Sequence, residues 1–138
     1  MRMMGLDYGD ATIGVAVSDL LGITAQGVET IRRKDEESDF KRLDELIREK
    51  VVTTIVVGFP KNMNNTVGPR GEASIAFSEK LKERFPQCEV VLWDERLTTA
   101  AARRTLIEGD VRRENRKKSI DMLAAVLILE GFMASRQK

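Results

Sequence analysis

The sequence predicts an α/β fold: a mixed five-stranded sheet, three antiparallel strands followed by parallel ones, with helices on both faces. Three observations carry this. Residues 2–8 and 12–18 are apolar runs joined by the short Gly9-Asp10-Ala11 connection, the pattern of an antiparallel hairpin. From Ser38 onward the apolar period changes from that of a strand to that of a helix. Two further apolar runs, 54–59 and 89–93, then alternate with helical segments, and strands reached by right-handed helical crossovers pair in parallel within a covered sheet.

Each element has a local reason. A third strand is expected around residues 23–31, where Ile23, Val28 and Ile31 are spaced by small and polar residues. The first helix places Phe40, Leu43, Leu46 and Ile47 on one face, with Lys41, Arg42, Glu45, Arg48 and Glu49 elsewhere. Residues 54–59 form a buried strand stopped by Pro60, and 61–71 a loop rich in Asn, Gly and Pro. A helix then runs to Phe85, with Ala73, Phe77 and Leu81 on one stripe and Pro86 ending it. Residues 89–93 are the last strand. A helix capped by Thr98 or Thr99, a basic loop at 112–118 and a final helix from about Ser119 to Ala134 complete the order βββαβαβαα.

The 138 residues are expected to form one domain, residues 1–138, without internal repeat or linker. The longest apolar stretch, residues 123–129, falls far short of the roughly 20 residues a membrane span needs, and no signal pattern opens the chain. A cytoplasmic protein without a membrane partner is expected. Cys88, the lone cysteine, excludes an intrachain disulfide and reads as a small buried residue. With no histidine, Ser-His-Asp and Cys-His nucleophile systems and the usual zinc sites are excluded. Chemistry falls to carboxylates, whose hard oxygens select Mg²⁺ or Mn²⁺ where a metal takes part.

Charge is unevenly spread. The net charge is +1, yet residues 112–118 hold Arg112, Arg113, Arg116, Lys117 and Lys118 against Glu114, a local +4 that leaves −3 for the rest. Such a run reads either as a patch for a polyanion or as a solvated loop. It leads directly into the most apolar helix of the chain.

Three acids stand where an apolar element ends or begins. Asp7 lies between two apolar runs, Asp94 and Glu95 close the last strand, and Asp121 sits in the first turn of an otherwise apolar helix. A carboxylate at the end of so apolar a strand is costly to desolvate unless a cation, hydrogen bond or substrate offsets the cost. Singly, each acid has a plainer reading: Asp7 opens a turn, Asp94 or Glu95 precedes a cap, and Asp121 favours the helix dipole. Together they gather where α/β sheets build sites, beyond the carboxyl ends of parallel strands.

Four blocks carry a resemblance. They are Gly5-Leu6-Asp7-Tyr8-Gly9 with Ile13-Gly14-Val15-Ala16-Val17-Ser18-Asp19; Val57-Gly58-Phe59-Pro60 with Asn62-Met63 and Gly68-Pro69-Arg70; Asp94-Glu95-Arg96-Leu97-Thr98-Thr99; and Lys117-Lys118-Ser119-Ile120-Asp121 running into Ala124-Ala125 and Ile128-Leu129. In this order they resemble the YqgF/RuvX group of RNase H-like nucleases over essentially the whole chain. The resemblance implies an RNase H-like fold, with Asp7, Glu95 and Asp121 as catalytic acids and metal ligands. It also implies hydrolysis of nucleic acid by water activated on two Mg²⁺ or Mn²⁺ ions about 4 Å apart, Asp7 bridging and Glu95 and Asp121 holding one ion each. Arg70, Lys61 and the basic run would grip phosphates, and Tyr8 would contact a base.

By the same resemblance the substrate is structured RNA, the 5′ end of pre-16S ribosomal RNA, with the branched DNA of a Holliday junction as the alternative. One departure stands out: many members carry a basic residue just before the Ile-Gly of the second strand, where this chain has Thr12. Two readings of other classes stand beside this one. A catalytically silent nucleic-acid-binding factor of transcription or ribosome assembly shares the basic run. The sugar kinase, actin and Hsp70 superfamily shares Asp-x-Gly in its first strand but needs a second related domain, for which 138 residues leave no room.

Overall fold

The computed structural model describes residues 2–59, 67–94 and 116–136, with backbone alone for 116–121. Its elements are β1 (Arg2–Tyr8), β2 (Thr12–Ser18), β3 (Ala25–Arg32), α1 (Glu36–Lys50), β4 (Val52–Phe59), α2 (Pro69–Arg84), β5 (Glu89–Asp94) and α3 (Arg116–Arg136). They build one five-stranded sheet in the order β3-β2-β1-β4-β5, so β1 is central. β1 pairs antiparallel with β2, and β2 with β3; β1 and β4, then β4 and β5, pair in parallel. This is the mixed sheet the sequence predicts.

Side chains alternate across a strand, and here the alternation sorts two apolar layers. Met4, Leu6, Ile13, Val15, Ile55 and Val57 project to one face and pack with Phe40 and Leu43 of α1 and Phe77 and Leu81 of α2. Ala16 and Val56 project to the other and pack with Ala125, Ile128, Leu129 and Phe132 of α3. Helices thus cover both faces.

Several boundaries differ from expectation for identifiable reasons. α1 begins before Ser38 because Asp35 is its N-cap: Ser38 N donates to Asp35 Oδ1 at 2.8 Å, and Glu36, Glu37 and Asp39 in the first turn suit the helix dipole. α2 begins at Pro69, taking the last three residues of the expected loop, and Pro69 is a position where a missing N–H costs nothing. Its buried stripe is Gly71, Ser74, Phe77, Ser78 and Leu81, while Ala73 is exposed. The two serines tolerate burial because their hydroxyls donate to the carbonyls of Arg70 and Ile75, at 3.1 and 2.7 Å.

β3 carries a register shift opposite Val15 and Ala16, which pair with Glu29 and Gly27. The extra residue turns both Val28 and Glu29 toward α1, so Val28 joins that core and Glu29 accepts two hydrogen bonds from Arg42, at 2.9 and 2.5 Å. Cys88 is buried as expected, its thiol donating to the Val52 carbonyl at 3.4 Å. α3 begins at Arg116, so Arg116, Lys117 and Lys118 belong to a helix rather than to the expected loop. The expected helix after Thr98 or Thr99, and Arg112 and Arg113, lie outside the described residues. No helix among the described residues is long and apolar enough to cross a membrane.

Candidate active site

Asp7 is the penultimate residue of the central strand, half-buried, at the end where all three parallel strands finish. Which face it takes follows from Gly5. A Cβ on Gly5 would point into α3, 2.8 Å from the Ala125 carbonyl oxygen, and Asp7, two residues on, shares that face. Its neighbours in the sheet are both glycines. Gly14 of β2 is its antiparallel partner, and Gly58 of β4 stands one step beyond the Leu6–Val57 pair. Neither adjacent strand therefore sets a side chain beside the carboxylate on this face.

Beyond Gly58 in the same row comes Trp93 of β5. Trp93 packs with the α3 layer, so Asp94, the next residue, projects to the opposite face from Asp7. Glu95, the acid favoured from the sequence, lies outside the described residues. Because α3 starts at Arg116, Asp121 stands in its second turn rather than the expected first, four residues before Ala125, and its side chain is not described. Lys61 likewise lies outside the described residues. Among the described residues no group of three or more acids or cysteines gathers to hold a metal ion; Asp7 is the one proposed ligand whose side chain is described.

Arg70 is exposed in the first turn of α2, behind Gly68, which caps that helix without a side-chain hydrogen bond. β4 leads into α2, so Arg70 stands at the Asp7 end of the sheet, in the layer of the opposite face. Tyr8 does not meet the expectation of a base contact. It projects away from Asp7, with Phe77 stacked on one face of its ring at 4.0 Å and the Arg33 guanidinium over the other at 4.4 Å. Arg33 also donates to the carbonyls of Gly9 and Asp10, at 2.7 and 3.1 Å, which ties β3 to the hairpin that follows Asp7. A cleft of about 400 Å³ lies on this second face, lined among others by Tyr8, Asp10, Arg33, Asp39 and Phe77. Its charges are of both signs, and it does not contain Asp7.

One residue without an assigned role in the sequence has a clear one here. Asp19 follows β2 directly and accepts from the N–H groups of Ile23 and Thr24, at 2.7 and 3.2 Å, closing the β2–β3 turn. The Ile23 hydrogen bond holds its carboxyl below the usual aspartate range. The signal was present in the sequence, an Asp at a strand end three residues before Gly22, which takes a positive φ of 70°.

A central β1 with an acid at its end, an antiparallel hairpin, two parallel strands and a long helix packed across β1 define the RNase H-like fold of nucleic-acid resolvases. Solved structures show it directly. The chain superposes on Thermus thermophilus RuvC, solved with a Holliday junction substrate, with a TM-score of 0.63 at 13% identity, covering 99% of this chain and 96% of that one. It superposes on the fowlpox virus Holliday junction resolvase with a TM-score of 0.61 at 12% identity, covering 98% and 99%. The chain belongs to the RuvX family, described as Holliday junction resolvase, whose model matches residues 1–135. Relatives named "Putative pre-16S rRNA nuclease" include those of Bacillus licheniformis, 58% identical over 98% of both chains, and Clostridioides difficile, 58% identical over 96% of this chain and 93% of the relative. That of Halalkalibacterium halodurans is 55% identical over 99% of both.

Proposed function

We propose that this chain, as one domain of residues 1–138, is a cytoplasmic metal-dependent nuclease that hydrolyses phosphodiester bonds in nucleic acid. Its catalytic residues are Asp7, Glu95 and Asp121, and its substrate is pre-16S ribosomal RNA, cut at the 5′ end; the relatives' name, a pre-16S rRNA nuclease, supports the RNA. The observation that carries the reading is Asp7 itself: a carboxylate on the central strand, between two glycines, facing the helix that bears Asp121.

The residues fit a hard divalent cation. Carboxylate oxygens are the donors that Mg²⁺ and Mn²⁺ prefer, and the glycines beside Asp7 set no side chain in the way. Asp7, Glu95 and Asp121 would hold the metal, whose Lewis acidity activates water and offsets charge on the leaving oxygen. The protein's own part is positional. The rigid strand fixes one oxygen donor, and Asp121 on α3 would supply a second. Arg70 and Lys61, with Arg112, Arg113, Arg116, Lys117 and Lys118, supply cations for the phosphate backbone.

A second reading, resolution of branched DNA, is favoured by the family description and by the fold shared with resolvases. Incubating the protein with Mg²⁺ and either a pre-16S RNA fragment or a four-way DNA junction separates the two. Cleavage of the RNA at its 5′ side is expected. Cleavage of the junction alone moves the assignment to resolution, and binding of either without cleavage makes the protein a silent nucleic-acid-binding factor.

A further inference from the structure

α3 lies close against the sheet, and its contact with β5 is unlike an ordinary helix seat. Gly131 stands in the helix interior, five residues before Arg136. Glycine is the poorest helix former apart from proline, so its presence there needs a reason. The reason is steric. A Cβ at 131 would come 2.9 Å from Trp93 Nε1, 3.3 Å from Cε2 and 3.4 Å from Cζ2. All three atoms belong to one rigid ring, which cannot yield as a flexible side-chain tip does.

The ring is gripped on a second side by the next residue of α3, Phe132, edge-on with centroids 6.0 Å apart and planes at 85°. Hydrogen bonding does not explain its place: Trp93 Nε1 is buried and has no hydrogen-bond partner among the described residues. Burying an indole N–H is unfavourable without a partner, so among the described residues it is packing, not hydrogen bonding, that holds the ring. Its location gives that packing a consequence. Trp93 pairs with Gly58, which stands beside Asp7, so the indole and the carboxylate share a face and a row with only a glycine between them. Glu95 follows Trp93 by two residues.

We propose that Gly131 and Trp93 are a positioning pair: the missing side chain at 131 seats the indole and thereby fixes the carboxyl end of β5 against α3, on the face that carries Asp7. Neither residue touches substrate or metal. Their part is to set the distance between the end of β5 and the acids of β1 and α3. The inference rests on the metal-site reading above.

Two variants of the full-length protein test it. Gly131→Ala adds one methyl that displaces the ring; the better helix former offsets part of the clash, so the melting temperature should fall only modestly and the variant should stay folded. Trp93→Leu leaves Gly131 alone, creates no clash and removes the seated ring. Mn²⁺ affinity, read from free Mn²⁺ by electron paramagnetic resonance without substrate, should weaken by about tenfold in both, as for other losses of outer support to metal ligands. In Gly131→Ala the emission of Trp93, the sole tryptophan, should shift as well. Asp7→Asn serves as the control. Loss of Mn²⁺ affinity in Asp7→Asn with wild-type affinity in both other variants overturns this inference alone. Unchanged affinity in Asp7→Asn overturns the metal reading and the inference together.

Discussion

Gly5 of β1 lies directly under Ala125 of α3, so close that a methyl on the glycine would stand 2.8 Å from the Ala125 carbonyl oxygen and 2.8 Å from Leu129 Cβ. The contact lets the helix cross the central strand one pleat from Asp7. Gly5→Ala must push backbone against backbone, and overpacking of that kind costs about 1–3 kcal/mol. Gly27→Ala meets Met122 Cβ at 3.1 Å near the edge of the sheet and should cost less. Denaturant unfolding of the two variants checks the order; a larger loss at Gly27 would contradict the close seat at Gly5.

The Glu29–Arg42 pair gives a pH prediction with a definite sign. Hydrogen bonds from the Arg42 guanidinium hold the Glu29 carboxyl below the usual glutamate range. A depressed folded pKa contributes stability that is fully present above the unfolded value, about 4.3, and is lost as pH falls toward the folded one. The pair is partly exposed, so its worth is roughly 0.2–1 kcal/mol. Wild type should therefore exceed Glu29→Gln in unfolding free energy at pH 7, and the gap should close by pH 3. An equal gap at both pH values would assign the difference to packing instead of charge.

The basic run supports a prediction about salt. Replacing Arg112, Arg113, Arg116, Lys117 and Lys118 by Ala removes up to five phosphate contacts. The slope of log affinity against log salt should then flatten by up to about 4 to 5 units, at roughly 0.9 per contact for a duplex. Because Arg116, Lys117 and Lys118 open α3, whose first turn carries no acid, they oppose the helix dipole and the melting temperature should rise slightly. An unchanged slope would move the binding surface toward Lys61 and Arg70.

What the sequence conveyed, and what it hid, follows the physics of each element. The hairpin was legible because two apolar runs flank a turn rich in Gly and Asp, and the place of Asp7 followed from it. The α2 stripe was misread because Ser74 and Ser78 look polar, while in the helix their hydroxyls are satisfied by carbonyls within one turn. The start of α3 was missed for an electrostatic reason: three cations in a first turn argue against a helix there. The face of Tyr8 was not readable from adjacency to Asp7, since neighbours in a strand point oppositely.

That alternation also separates the expected effects at the two adjacent acids. Asp94 faces away from Asp7, so Asp94→Asn should leave metal-dependent cleavage near the wild-type rate, whereas Glu95→Gln should remove it. Single-turnover rates at saturating Mg²⁺ make the comparison, and loss confined to Asp94→Asn would reverse the assignment.

The central claim is that Asp7 anchors the metal on which cleavage depends, and Asp7→Asn tests it most directly because the amide keeps the shape and removes the charge. Cleavage of a pre-16S RNA fragment should be followed across a Mg²⁺ and Mn²⁺ titration, with the melting temperature of each protein measured alongside. The variant should lose at least about 100-fold in rate, more than the loss of an outer-shell support causes, while its melting temperature stays equal to or above wild type. Wild-type cleavage by Asp7→Asn, or full wild-type activity after exhaustive chelation, would contradict the account.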